Sequence, residues 1–252
     1  MHKKIVAGNW KMYKDKTETI ELISELKEKL SKFNSNVEVI VCPPFTSLET
    51  AKELIKDSIL HLGAQNMHFE EEGAFTGEIS AKMLKSFGVE YVIIGHSERR
   101  SIFMENDKTI NSKILTALNS GLKPIFCIGE TLNERENNKT FEIVESQLIK
   151  GLSGVTVDQI EKVTIAYEPV WAIGTGKTAT PSQAEEVHKF IREKLSTFFS
   201  NQPEDKVMIL YGGSVKPENA RELFTQPNID GGLIGGACLK TDSFFSILNS
   251  AA

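Results

Sequence analysis

Apolar runs of strand-forming residues recur eight times along the chain, and each is followed by a stretch suited to a helix or by a polar turn. The runs fall at residues 4–8, 37–41, 60–64, 91–94, 123–128, 163–167, 207–211 and 231–234. They are continuous rather than alternating, the pattern of parallel strands covered on both faces. Between the first two, Leu22, Leu26, Leu30 and Phe33, joined by Ile23, make one stripe at helical spacing. Thr46 followed by Glu49 reads as a capping box that opens a helix through Leu54 and Ile55. Thr180-Pro181-Ser182-Gln183 reads as a second box, with Thr as cap and Pro in the first helical position. Helices are also predicted at 81–87, 107–120, 140–152, 181–199, 219–224 and 244–250.

Strict alternation of strand and helix means a parallel sheet with right-handed crossovers. Eight units in 252 residues favour an α/β fold closed into a (β/α)8 TIM barrel over an open doubly wound sheet. No linker interrupts the alternation, so residues 1–252 are expected to form a single domain. The longest irregular stretch, 65–79, opens at Gln65, closes at Ile79 and is too long for a routine connection.

A net charge of -5 argues against a nucleic-acid partner but leaves room for a small anion held by a local positive field. Cys42, Cys127 and Cys238 cannot all pair within one chain and sit in apolar surroundings, so buried reduced thiols are expected. The apolar run after Met1 is too short for a signal peptide, and no stretch is long and apolar enough for a membrane partner. A soluble cytoplasmic protein is the simplest reading. The five scattered histidines show no metal-ligand spacing, so no metal is expected.

In a barrel of this kind, function gathers where the strands end. Asn9-Trp10-Lys11 follows the first run, Gly95-His96-Ser97-Glu98-Arg99 the fourth, and Glu168-Pro169-Val170-Trp171 the sixth. Gly212-Gly213-Ser214 follows the seventh, and Gly235-Gly236 the eighth. Polar and glycine-rich residues thus converge on one rim from five places in the chain. Two local patterns mislead. Gly174-Thr175-Gly176-Lys177-Thr178 resembles the end of a nucleotide P-loop, but Trp171 stands where that loop needs its first glycine. Gly95-His96-Ser97 resembles a nucleophile elbow, but Arg99 would crowd the turn, and the only later histidine is His188, mid-helix.

The run Ala166-Tyr167-Glu168-Pro169-Val170-Trp171-Ala172-Ile173-Gly174-Thr175-Gly176-Lys177 resembles the signature of the triosephosphate isomerase family. Gly8-Asn9-Trp10-Lys11-Met12, Ile94-Gly95-His96-Ser97-Glu98-Arg99-Arg100 and Tyr211-Gly212-Gly213-Ser214 are similar to the other motifs of that family, in the same order along the chain. The resemblance implies a cofactor-free isomerase of glycolysis and gluconeogenesis that interconverts dihydroxyacetone phosphate and D-glyceraldehyde 3-phosphate through an enediolate. It implies Glu168 as the base and His96 as a neutral electrophile with a helix N-terminus behind the ring. Lys11 is then a fixed cation and Asn9 a neutral donor beside it, two residues apart and so on one side of a strand. Ser97 and Glu98 support them, with Glu98 expected to pair with Lys11. Gly174, Ser214, Gly235 and Gly236 form the phosphate grip, aided by a short helix near Ala237 and Cys238. Pro169 opens and Thr178 closes a lid with an apolar tip at Ala172-Ile173-Gly174.

The same resemblance makes 65–79, with Ala74-Phe75-Thr76-Gly77-Glu78 at its tip, the interlocking loop of a homodimer that reaches the partner near Met12. Tyr13 departs from the Asn expected there and leaves the local dimer contact open. From the residues alone, Glu168 is as readily a surface carboxylate in an ion pair, and the glycines serve plain turns. A barrel epimerase or lyase acting on a phosphorylated sugar would share the glycine grip but not the Glu168 motif. A phospho-ligand binder without catalysis would be expected to lack Glu168, His96 or Lys11.

Overall fold

The apolar runs pair in register until the last meets the first. In the computed structural model, which describes residues 4–199 and 206–252, the strands form a closed parallel barrel in sequential order. They are β1 (Ile5–Asn9), β2 (Glu38–Cys42), β3 (Leu60–Ala64), β4 (Tyr91–Ile94), β5 (Lys123–Ile128), β6 (Thr164–Tyr167), β7 (Ile209–Tyr211) and β8 (Gly231–Ile234). Ile5 lies beside Glu38 on one side and Gly231 on the other, which closes the ring. The segment Met1-His2-Lys3 lies outside the described residues.

The α-helices are α1 (Lys16–Leu30), α2 (Leu48–Ile55), α3 (Ala81–Ser86), α4 (Ser97–Ser101), α5 (Asp107–Asn119) and α6 (Leu132–Glu136). They continue with α7 (Thr140–Gly151), α8 (Val157–Ile160), α9 (Pro181–Phe198), α10 (Pro217–Phe224) and α11 (Thr241–Ala251). Tighter 3-10 turns occupy Phe45–Ser47, Val170–Ala172 and Gly236–Leu239. The stripe on α1 is as expected, with Leu22, Ile23, Leu26 and Leu30 buried.

Strand alternation divides the apolar side chains into two cores. Ala7, Ile40, Ile93, Ile125, Ala166, Leu210 and Leu233 fill the barrel interior. Val6, Val39, Val41, Val92, Ile94 and Phe126 face outward and pack with the helices. The N-terminal mouth is closed by polar residues. Tyr91 donates a short hydrogen bond to Glu38, and the Lys123 ammonium donates to the Tyr91 hydroxyl at 3.1 Å. Burial, then the hydrogen bond and charge of Glu38, hold the Tyr91 hydroxyl well above its usual pKa. The C-terminal mouth is left for the cavity.

One expected cap is corrected. Thr46 does not cap α2: it lies inside the 3-10 turn that follows Pro44, and α2 begins only after Ser47, without a side-chain cap bond. Ser47 is committed elsewhere, its hydroxyl accepting from the Thr19 hydroxyl of α1 at 3.1 Å. The second box forms as read. Gln183 N–H donates to Thr180 Oγ1 at 3.2 Å, and Thr180 N–H to Gln183 Oε1 at 3.0 Å. The helices α6 and α8 lie outside the predicted segments, and β7 starts two residues later than predicted, at Ile209 rather than Val207.

Candidate active site

The ends of β1, β4, β6, β7 and β8 surround a cavity of about 290 Å³ lined by Asn9, Lys11, His96, Glu168, Ser214 and Gly235, among others. Gly174 and Gly236 also line it, as do Ile173, Leu233 and Lys216, which the sequence reading had not singled out. The five converging motifs therefore meet at one rim. Lys11 and Lys216 are its cations and Glu168 is its carboxylate.

Asn9 ends β1 and is buried, its Oδ1 accepting the Lys11 N–H at 3.0 Å. Lys11 stands clear of the strand with φ of 54°, a left-handed conformation. Its ammonium donates to Glu98 Oε1 at 2.6 Å, the pairing expected.

Gly95 follows β4 directly, and His96 becomes the cap of α4. The Glu98 N–H donates to His96 Nδ1 at 3.2 Å. That nitrogen must carry a lone pair, so the ring proton of the neutral imidazole sits on Nε2. His96 Nε2 stands 3.1 Å from Glu168 Oε1.

Glu168 follows β6 directly and is only 2% exposed. Its Oε2 accepts the Ser97 N–H at 2.8 Å. Its Oε1 is buried 3.1 Å from His96 Nε2 and makes no hydrogen bond of good geometry. A buried carboxylate oxygen with no donor is costly unless the site uses it. Space for the residue comes from two glycines. A Cβ at Gly212 would fall 2.8 Å from Glu168 Cγ, and one at Gly129 would fall 1.8 Å from the Glu168 carbonyl oxygen. Below the carboxylate, burial and then the Glu168 charge push the Cys127 thiol well above its usual pKa. All three cysteines are free and buried, with Cys42 pushed up to about 12 by burial.

Glu130, missed in the sequence reading, is fully buried after β5. It accepts the Trp171 indole N–H at 2.8 Å and the Tyr167 hydroxyl at 3.1 Å. Arg135 joins it at 3.3 Å and lies 4.8 Å from the Trp171 ring. The available signal was its place, a carboxylate directly after a strand and a glycine. The tip expected at Ala172-Ile173-Gly174 also needs correction. Ala172 is fully buried in its 3-10 turn, Ile173 faces the cavity, and the exposed part is residues 174–178. The short helix expected near Ala237 is the 3-10 turn Gly236–Leu239.

The sequence profile of the triosephosphate isomerase family matches residues 4–251. The chain belongs to that family. It is 58% identical over 251 residues to the triosephosphate isomerase of Carboxydothermus hydrogenoformans, covering 100% of both chains. It is 52% identical over 248 residues to that of Geotalea uraniireducens, covering 98% of each. It is 50% identical over 250 residues to that of Fusobacterium nucleatum, covering 99% of each. Family membership makes the protein an isomerase, and the closed eight-stranded barrel is the fold expected of it. Among the described residues, no helix is long and apolar enough to cross a membrane.

Proposed function

We propose that this protein interconverts dihydroxyacetone phosphate and D-glyceraldehyde 3-phosphate by proton transfer between neighbouring carbons, in glycolysis and gluconeogenesis. The observation that carries this reading is the buried Glu168 carboxylate at the edge of the cavity, its Oε1 3.1 Å from His96 Nε2. Glu168 takes a proton from the hydroxymethyl carbon next to the substrate carbonyl. The enediolate that results takes the Nε2 proton of His96 on the former carbonyl oxygen and becomes the enediol. Glu168 returns a proton to the neighbouring carbon while His96 recovers one from the other oxygen. No electron leaves the substrate, and no proton is gained or lost overall.

Lys11 supplies fixed positive charge to the substrate, and Asn9 holds the Lys11 backbone while donating its own amide. Ser97 parks the carboxylate through its N–H, and Glu98 fixes both Lys11 and the His96 tautomer. Gly174, Ser214, Gly235 and Gly236 receive the phosphate dianion. The segment from Pro169 to Thr178 closes over the substrate as a lid, bringing Gly174 to the phosphate and excluding water. The whole chain works as a single barrel domain in the cytoplasm.

Two copies form a homodimer through the 65–79 loop. Support comes from the exposed Met12, Tyr13, Phe75, Ile102, Phe103 and Met104, which offer apolar surface to such a contact. Phe75 packs against His68 with the rings tilted by 34° and centroids 4.4 Å apart, which stiffens the loop.

Purified protein should isomerise glyceraldehyde 3-phosphate with no addition, at a kcat/KM approaching the diffusional ceiling of about 10⁸–10⁹ M⁻¹s⁻¹. In D2O the dihydroxyacetone phosphate formed should carry solvent deuterium on the hydroxymethyl carbon. Product formed with complete retention of the substrate hydrogen would point to a hydride shift and against the base. No turnover by folded protein would sink the reading altogether.

A further inference from the structure

Lys11 holds an unusual backbone for a residue with a side chain, and two side chains hold it there. Its φ of 54° lies in the left-handed region, which residues other than Gly, Asn and Asp enter at a cost. At one end, its N–H donates to Asn9 Oδ1 at 3.0 Å. At the other, its carbonyl accepts from Gln65 Nε2 at 2.8 Å. The same amide nitrogen donates to the Cys42 carbonyl at 2.9 Å, and that carbonyl also takes the Trp10 N–H at 3.2 Å. Both partners of Nε2 are carbonyl oxygens, so the orientation of the Gln65 amide is fixed by chemistry. Gln65 follows β3 directly, and its side chain ties together the ends of β1 and β2. It is absent from the cavity wall.

We infer that Gln65 is a positioning residue of the isomerase reaction: by clamping the Lys11 carbonyl, it keeps Lys11 left-handed and its ammonium at the cavity. This rests on the function proposed above. A side chain leaves a residue in a direction set by that residue's φ and ψ. If Lys11 relaxed to negative φ, its stem would leave β1 along another path. The ammonium already has a strong partner in Glu98 at 2.6 Å, so side-chain pairing alone does not aim it at a ligand. Only a donor reaching across from β3 fixes the carbonyl end, and Gln65 is the residue that provides it.

Gln65→Met keeps length and approximate volume but removes the donor. With circular dichroism and oligomeric state like the parent's, it should lower kcat/KM about 10- to 100-fold, with KM rising, as expected for a charge misplaced by roughly 1 Å. Its inhibition constant for inorganic phosphate should rise by a comparable factor. An anchor that only stabilises the loop would change the folded fraction and leave the constants per folded molecule unmoved. Gln65→Glu supplies a second readout that does not depend on the Met variant folding. Its carboxyl donates only when protonated, so its activity relative to the parent should climb as pH falls. A folded Gln65→Met variant whose KM and phosphate inhibition stay within about two-fold of the parent overturns the inference. So does a Gln65→Glu variant whose pH profile overlays the parent's. A parent that binds phosphate but does not isomerise defeats the functional reading instead, and phosphate binding still reports on Lys11.

Discussion

His96 accepts the Glu98 N–H at Nδ1, which leaves its proton on the nitrogen nearest Glu168. His96→Gln keeps a donor but moves it off the ring's line, so turnover should fall about 10²- to 10³-fold while phosphate inhibition changes little. Steady-state kinetics with inorganic phosphate as competitor checks this, and near-parental turnover would remove His96 from the chemistry. His188 gives a different kind of test. It is fully buried on α9, its Nδ1 faces the Asn228 carbonyl at 3.3 Å, and its Nε2 has no hydrogen-bond partner. Burial lowers its pKa from 6.5 to about 3; the Asn228 carbonyl opposes this, and the charges of Arg192 and Lys4 add to it. Above the ordinary value both states are neutral and stability is unaffected. Between 6.5 and about 3 the unfolded chain takes up a proton that the folded chain refuses. Stability should then fall by up to roughly 1.4 kcal/mol per pH unit from this group, levelling off near the folded value. Urea unfolding from pH 7 to 4.5 should show a steeper loss for the parent than for His188→Gln, and equal slopes would contradict it. Asn9, Lys11, His96 and Glu168 were legible because each stands just past an apolar run. Gly129 was not singled out, and Gln65 and Gly212 were named without these contacts, because they act on backbone or side chains of other strands, and no spacing records such a contact.

At the scale of elements, short polar caps decide where helices begin. The box at Thr180 is fully made, and α9 follows the loop that lines the cavity. Thr180→Ala should cost about 1 kcal/mol of stability. Thr46→Ala should change stability by less than about 0.5 kcal/mol, since Thr46 is exposed and caps nothing. Urea denaturation of both variants separates the two sites, and an equal loss at both would restore Thr46 as a cap. The spacing of Thr46 and Glu49 was right for a box, but Pro44 starts a tighter turn first and Ser47 is held by Thr19. Long helices were readable because several apolar residues repeat at helical spacing. The helices α6 and α8 are too short to show a period. Yet α6 begins with a full box, Thr131 with Glu134, and α8 with half of one, Gln159 Oε1 accepting the Thr156 N–H at 3.1 Å, and that spacing was the signal available. Strand limits at β3, β4, β5 and β8 follow the apolar runs residue for residue.

For the molecule as a whole, closure was legible from the number and order of the runs, whereas the polar floor of Glu38, Tyr91 and Lys123 was not. Each of those residues starts a strand, where a charged or phenolic side chain reads as a routine boundary. Association is likewise a property of the whole surface. Phe75→Asp puts a charge on the 65–79 loop and should leave a monomer with little activity, visible by light scattering and by activity that no longer rises with protein concentration. A parent that is monomeric and fully active at micromolar concentration would contradict the homodimer. Five strand ends serve one rim, and on that rim Glu168 is proposed to move the proton. Glu168→Asp withdraws the carboxylate by about 1 Å and leaves the charge in place. Its turnover of glyceraldehyde 3-phosphate should fall about 10²- to 10³-fold with phosphate inhibition nearly unchanged. Turnover within about threefold of the parent would contradict the assignment of the base.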